Sequence, residues 1–268
     1  MEDYNSNFTG HEIDAALARA KAGGEIDTLF TERPTPNLLD NWYFTYPVNQ
    51  RNVSGTIDTV GYFLDRWKLV SGSVTIGSDG ITLNGTIVQI LETTVGTDVT
   101  ASALTTEGIV NASYDSSSKT FSLHGTGQTF VAAKLELGDR QTLAHQNAGG
   151  NWVLNEIPNK AEELAKCQRF FYAFDFSDWS AVGTYYGYGI SDSMIDLYNL
   201  VFPVTMRVKP SCSNLRVYDT ATGSAYDASI KGFHTSKSGV HGLLIASGMT
   251  VVVDRKYTVE KAWFSADL

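Results

Sequence analysis

The chain has 268 residues, of which 43% are hydrophobic, 12% aromatic and only 18% charged, and its formal net charge is −9. That length suits two domains, and few charges with 24 glycines favour many short strands and turns over helices. An acidic chain without Lys/Arg clusters argues against nucleic acid as a partner, and no apolar run approaches the ~20 residues of a membrane span.

The opening stretch MEDYNSNFTG lacks the basic and apolar segments of a secretion signal. The expectation is synthesis in a cytoplasm, with any exterior location reached by assembly into a virion. Thr9 and Glu12 then form a capping-box pattern, followed by an apolar stripe at helical spacing: Ile13, Ala16, Leu17 and Ala20. Gly23-Gly24 stops this helix. A lone helix of that length is marginal in water, so its stripe either docks on its own domain or meets symmetry mates in a short coiled bundle.

Residues 37–153 read as strands at 41–46, 66–70, 73–76, 81–83, 86–91, 99–105, 120–123 and 129–137. Ser78-Asp79-Gly80 and Asn84-Gly85 read as turns, the second as a tight hairpin, and Gly125-Thr-Gly127 also reads as a turn. This pattern predicts a two-sheet sandwich or jelly roll. Asn159 follows Pro158 and stands three residues before Glu162, opening a connecting helix. Phe170, Tyr172, Phe174 and Phe176 then alternate with period two, placing them on one face of a strand. Further strands are predicted at 185–190, 205–208, 215–218 and 243–247, with a hairpin of 251–253 and 257–264. The predicted organisation is an N-terminal helical segment and linker over 1–36, a jelly-roll β-sandwich over 37–156, and the connecting helix with a second β-sandwich over 157–268.

Chemistry-bearing patterns are sparse. His11-Glu12 begins a zinc-protease-like phrase, but Ala15 stands where the second imidazole belongs. His124, His145, His234 and His241 are scattered, and no metal site is predicted beyond a weak case for a structural Ca²⁺ in Asp-rich loops. Asp175 with Asp178, or Asp192 with Asp196, offers carboxylate pairs of the kind glycoside cleavage uses; solvated turns are the plainer reading. Cys167 and Cys212 make no disulfide framework and read as buried thiols, with a bridge between them as the alternative. Aromatic residues are the strongest feature. Trp179, Tyr185, Tyr186 and Tyr188 lie in and beside the polar stretch SDWSAVGTYYGYG, and Trp42 and Tyr43 stand close to Tyr46. Exposed, such rings stack on the C–H faces of sugars; buried, they are core. Alternation buries some of them.

Several phrases combine into a larger pattern. They are Pro36-Asn37-Leu38-Leu39-Asp40-Asn41, Val48-Asn49-Gln50-Arg51, Tyr62 with Asp65-Arg66-Trp67, and Ala133-Lys134-Leu135-Glu136-Leu137-Gly138. Further along come Cys167-Gln168-Arg169-Phe170-Phe171, Phe202-Pro203-Val204-Thr205-Met206-Arg207 before Lys209-Pro210, and Ser265-Ala266-Asp267-Leu268. In this order the chain resembles a bacteriophage and prophage tail-fibre or receptor-binding protein family whose first domain is a carbohydrate-binding-module-like jelly roll. The resemblance implies a virion-tail protein without catalytic residues that attaches to a host cell-surface carbohydrate alongside other phage tail proteins. A homotrimer gathered by the N-terminal helix fits that role. A tail-associated polysaccharide depolymerase or glycosidase, or a purely structural tail part, is the alternative. The shared phrases themselves read as structural: Asp65, Arg66 and Trp67 fix an edge of the first domain, and Arg169 serves the junction.

Overall fold

A computed structural model describes residues 34–176 and 185–268. Among the described residues the architecture is mainly β, as the composition predicts: antiparallel sheets with one short helix between them. The stripe Ile13, Ala16, Leu17 and Ala20 lies outside the described residues, as does Trp179.

The first domain contains β1 (Gly55–Ile57), β2 (Gly61–Leu64), β3 (Trp67–Gly77), β4 (Gly80–Ile90), β5 (Val99–Thr105), β6 (Gly108–Asn111), β7 (Ser113–Asp115) and β8 (Thr120–Leu137). They form one sheet in the order β1-β3-β4-β8-β5-β6, with β2 also on β3 and β7 on β8. A small ribbon of β9 (Ala144–Gln146) and β10 (Trp152–Leu154) follows. Three predicted interruptions are not interruptions: the segments 66–70 and 73–76, 81–83 and 86–91, and 120–123 and 129–137 are the single strands β3, β4 and β8. The supposed hairpin at Asn84-Gly85 and the supposed turn at Gly125-Thr-Gly127 lie inside strands.

The reason is a row of glycines crossing the sheet. Gly72 pairs with Gly85, and Gly85 with Gly125. A Cβ on Gly72 would lie 2.0 Å from the Asn84 carbonyl oxygen, one on Gly85 2.0 Å from that of Ser71, and one on Gly125 2.6 Å from that of Leu83. Register shifts flank the row at Leu69/Ser71 and Leu83/Asn84. Such bulges bend strands, and residues on both sides of the row, including Trp67, Leu69, Ile87, Val74 and Leu83, join one buried core. Residues 38–44 then run beside the second half of β8, through Leu38 N–H to the Leu135 carbonyl (2.9 Å), Ala133 N–H to that of Trp42 (3.0 Å) and Phe44 N–H to that of Val131 (2.9 Å). The predicted strand at 41–46 is therefore a single bridge, Tyr43 to Ala132. Beneath it Trp67 packs edge-on against Phe44 and Phe121 and donates its indole N–H to the Asn41 carbonyl at 2.9 Å. Lys134 and Glu136 are both fully buried. Lys134 Nζ donates to Glu156 (3.1 Å) and Thr142 (3.0 Å), while Glu136 accepts from the Thr142 amide (2.6 Å) and from the hydroxyls of Thr35 and Thr142.

The connecting helix α1 (Lys160–Gln168) begins where the sequence predicts, with Asn159 accepting from the Ala161 amide at 3.0 Å. Its buried Glu163 accepts from the Asn41 amide at 2.6 Å. The chain then enters the junction, where two consecutive phenylalanines are each covered by an arginine of the first domain. The Arg66 guanidinium carbon sits 3.4 Å from the Phe170 ring centroid, and that of Arg51 3.8 Å from Phe171. Arg66 also pairs with Asp40 (3.0 Å) and Arg51 with Asp267 (2.5 Å). Arg169 and Arg207 both reach Glu92. Gln50 donates to the Phe171 carbonyl (2.7 Å) and the Tyr62 hydroxyl to that of Leu268 (2.5 Å). Only the first of the four alternating aromatics leaves their common face: Phe170 precedes the strand and belongs to this junction. Both thiols are free, and burial raises their pKa values, that of Cys212 to about 12.

The second domain departs from the predicted sandwich. Its strands are β11 (Phe171–Asp175), β12 (Tyr185–Gly189), β13 (Met194–Val201), β14 (Ser211–Asp219), β15 (Ser224–Thr235), β16 (Gly239–Ser247) and β17 (Lys256–Ser265). From β17 the ladder runs through β12, β13, β16, β15 and β14, and β14 pairs back onto β17. The sheet closes into a barrel, and β11 continues the line of β12 along β17. Ile195, Val217, Leu243, Tyr257 and Phe264 fill its core. The predicted strand at 205–208 is irregular chain and 251–253 is a turn-bearing segment rather than half a hairpin; β13 and β15 were not predicted.

Two predictions follow from these contacts. Gly85→Ala places a methyl against the Ser71 carbonyl at a φ of +143° and should cost about 3 kcal/mol in urea unfolding. Gly96→Ala, with open space around the added carbon, should stay within ~0.5 kcal/mol. Asp65 is buried at the junction, and burial raises its carboxyl to about 6 against the downward pull of the Gln50 hydrogen bonds and Arg51. The folded state therefore holds this proton more tightly, and stability drawn from it is full below pH ~4 and falls by about 3 kcal/mol as pH rises through 6. The difference in urea midpoint between wild type and Asp65→Asn should change across pH 4–6 and level off above it; a flat difference would refute the assignment.

Candidate functional site

The sequence Tyr185-Tyr186-Gly187-Tyr188-Gly189 forms β12 with its glycines turned inward. A Cβ on Gly187 would lie 2.1 Å from the Asp196 carbonyl oxygen, and one on Gly189 2.2 Å from that of Val252. Period two sends Tyr186 and Tyr188 to the outer face, where they are 37% and 38% exposed. On the neighbouring strand, Ile195 and Leu197 point into the core while Tyr198 points out, 61% exposed. The three rings meet: Tyr198 lies 6.1 Å from Tyr186 at a 32° tilt and 6.0 Å from Tyr188, nearly edge-on. Lys256 on β17 holds its ammonium 4.9 Å from the Tyr186 centroid. The result is a tyrosine face on the outside of a closed barrel, with a cation at its margin. Flat, amphipathic rings offer apolar stacking area, and each phenol can donate and accept.

Tyr185 takes the opposite orientation. It packs against Phe174 at 4.8 Å, and its hydroxyl hydrogen-bonds that of Tyr172 at 3.0 Å. Its ring belongs with the core aromatics, which corrects its assignment to a surface. Burial and this hydrogen bond raise the Tyr172 pKa. Trp42 is 3% exposed and belongs to the first core, likewise corrected as a stacking surface. Its neighbours remain accessible: Tyr43 and the 69% exposed Tyr46 line an apolar cleft of about 220 Å³ with Ile157, Pro158 and Lys160, and Trp42 forms part of its wall. Tyr43 lies 6.1 Å from Trp42 and 5.9 Å from Tyr46. The tyrosine face and this cleft lie on different domains.

Tyr198 escaped the sequence reading because β13 did. Its signal was the alternation Met194, Asp196, Tyr198 against Ile195, Leu197, shortened by the register shift between Asp196 and Leu200. Of the carboxylate pairs, Asp175 is ion-paired with Lys261 at 3.0 Å and Asp178 lies outside the described residues. Among the described residues no group of three or more His, Cys, Asp or Glu side chains is placed to hold a metal, and no helix is long and apolar enough to cross a membrane.

Truncation should separate the two kinds of tyrosine. Tyr198→Ala is expected to leave unfolding free energy within ~0.5 kcal/mol of wild type, whereas Tyr185→Ala should lose about 2 kcal/mol through the emptied core space. Urea unfolding of both variants checks this. Comparison with known proteins finds no matching family model, no similar curated protein and no similar solved structure.

Proposed function

We propose that the chain is a non-catalytic adhesion protein of a phage tail, which holds the virion to a host cell-surface carbohydrate through the tyrosine face of its second domain. The observation that carries this reading is the cluster of Tyr186, Tyr188 and Tyr198 rings on an outer sheet face. A contiguous group of exposed aromatic rings on a sheet face suits recognition. Sugars present both C–H faces and hydroxyls, and these rings with Lys256 offer partners for both.

The phage-tail part rests on the phrases that resemble tail-fibre proteins. Many of their residues, Gln50, Arg51, Tyr62, Asp65, Arg66, Arg169, Phe170, Phe171, Arg207, Asp267 and Leu268, meet at one junction. These phrases thus share a structural task, joining the two domains. The assembly is a homotrimer gathered by Ile13, Ala16, Leu17 and Ala20, alongside other tail proteins. Weak single-site sugar contacts then gain from several copies acting together.

The test is binding of fluorescent protein to susceptible bacteria. Wild type should label cells, and Tyr186→Ala/Tyr198→Ala should weaken labelling at least about tenfold, the loss of ~1.4 kcal/mol or more per site. Equal labelling by the variant overturns the tyrosine face, and no labelling by wild type favours a structural tail part. Light scattering should give a trimer mass that Ile13→Asp/Leu17→Asp reduces to a monomer; a wild-type monomer overturns the assembly.

A further inference from the structure

A second cleft, of about 320 Å³, opens where the two domains meet, lined by Gln50, Arg51 and Asn52 from the first and by Ala173, Asp175, Lys261 and Trp263 from the second. Its size is at the lower end of the ~300–1,000 Å³ usual for small-molecule sites. The space exists because of what stands beside Trp263. On β17 its cross-strand neighbours are Ala173 on β11 and Ser213 on β14, so small residues flank the indole. Phe171 meets the indole edge-on at 5.7 Å and fixes its orientation from below. One indole face with open flanks is a stacking surface for a ring of C–H groups.

The polar wall is preorganised. Gln50 is held by Asp65 and by the Phe171 carbonyl. Asn52 sits at φ +52° in a loop closed by Asn49, whose side chain bonds both the amide and the carbonyl of Val53. Each cation is matched: Arg51 pairs with Asp267 at 2.5 Å and Lys261 with Asp175 at 3.0 Å. The cleft therefore offers charge-assisted donors and acceptors while carrying no net charge from these pairs. Hydroxyl groups suit such a lining; a carboxylate or phosphate would have to compete with a carboxylate already in place.

We infer that this cleft is a binding site for one neutral sugar residue, stacked on Trp263 and hydrogen-bonded by Asn52, Lys261 and Asp175. The inference rests on the carbohydrate reading above and extends it to a second, pocket-like contact built by both domains. A glycan chain thus meets the protein at two kinds of site: a flat tyrosine face and a recess that takes a single residue.

Full-length protein labelled with 5-fluorotryptophan provides the test, because fluorine NMR resolves each of the five tryptophans, and Trp263→Phe assigns the line of interest. The probes are glucose, galactose, mannose and N-acetylglucosamine, with glucuronate as the acidic comparison. At least one neutral sugar should shift the Trp263 line saturably and bind at least tenfold more tightly than glucuronate. Ala173→Leu fills the cleft without removing a polar group and should abolish the shift, while the other four tryptophan lines report an intact fold. The inference is overturned if no neutral sugar moves the Trp263 line, if Ala173→Leu leaves the shift in place, or if glucuronate binds as well as the neutral sugars. The Tyr186→Ala/Tyr198→Ala protein should keep the Trp263 shift. Should cell labelling prove independent of those tyrosines while that shift persists, the tyrosine face falls and the junction site stands.

Discussion

Two guanidinium groups stacked on two consecutive phenyl rings hold the halves of this protein together. Phe170 and Phe171 leave the connecting helix side by side, and Arg66 and Arg51 cover one ring each. A guanidinium over a ring gains electrostatic attraction as well as apolar contact, up to about 2 kcal/mol when desolvated. Lysine would not substitute, since its compact ammonium lacks the planar surface. Stacking also accounts for two buried nitrogens without hydrogen-bond partners among the described residues, Arg51 Nε and Arg66 Nη1. They belong to the groups lying against the rings. Arg66 Nε and Nη2 are directed at Asp40 and the Ile90 carbonyl, and Arg51 Nη2 at Asp267, so orientation and charge are settled together.

This junction positions the cleft beside Trp263. Trp263 faces its cleft because Phe171 lies beneath it, and Phe171 is held by Arg51. Asp65 anchors Gln50 from the first domain, and Gln50 in turn ties down the Phe171 carbonyl. The tyrosine face depends on a different device, the inward glycines of β12. Because Gly187 and Gly189 add no inner side chains, β13 and the 251–254 segment approach closely, and the alternate tyrosines are turned out.

The sequence was most legible where signals are local. The Asn159 cap, the Ser78-Asp79 turn and the strand at 99–105 are local devices, and each lies where it was expected. It misled where a local signal serves a long-range purpose. Gly72, Gly85 and Gly125 look like three separate turns because glycine punctuates chains; only their pairing across the sheet reveals a fold line. The barrel was hidden for a similar reason. Closure depends on β14 meeting β17, and nothing in either strand's alternation distinguishes a closed sheet from two layered ones. β15 carries a clear alternation of Tyr226, Ala228 and Ile230 against Asp227, Ser229 and Lys231, but its half-buried inner residues are small or interspersed with charge, so it reads as loop. At the candidate site Tyr185, Tyr186 and Tyr188 were singled out together by the polar stretch beside them, but adjacent tyrosines on a strand face opposite ways, so Tyr185 was misplaced; Tyr198 carried no such cue.

Closure of the barrel also bears on how mechanical load crosses the molecule. β11, by which the chain enters the barrel, is zipped directly to β17, by which it leaves, and Asp267 and Leu268 bond back to the first domain. Entry and exit strands therefore sit together at the junction, and tension between the domains runs through that short zipper and the arginine clamps. The β12–β13 and β15–β16 hairpins lie off this path. Their surfaces can therefore change by mutation without weakening the link between the two domains.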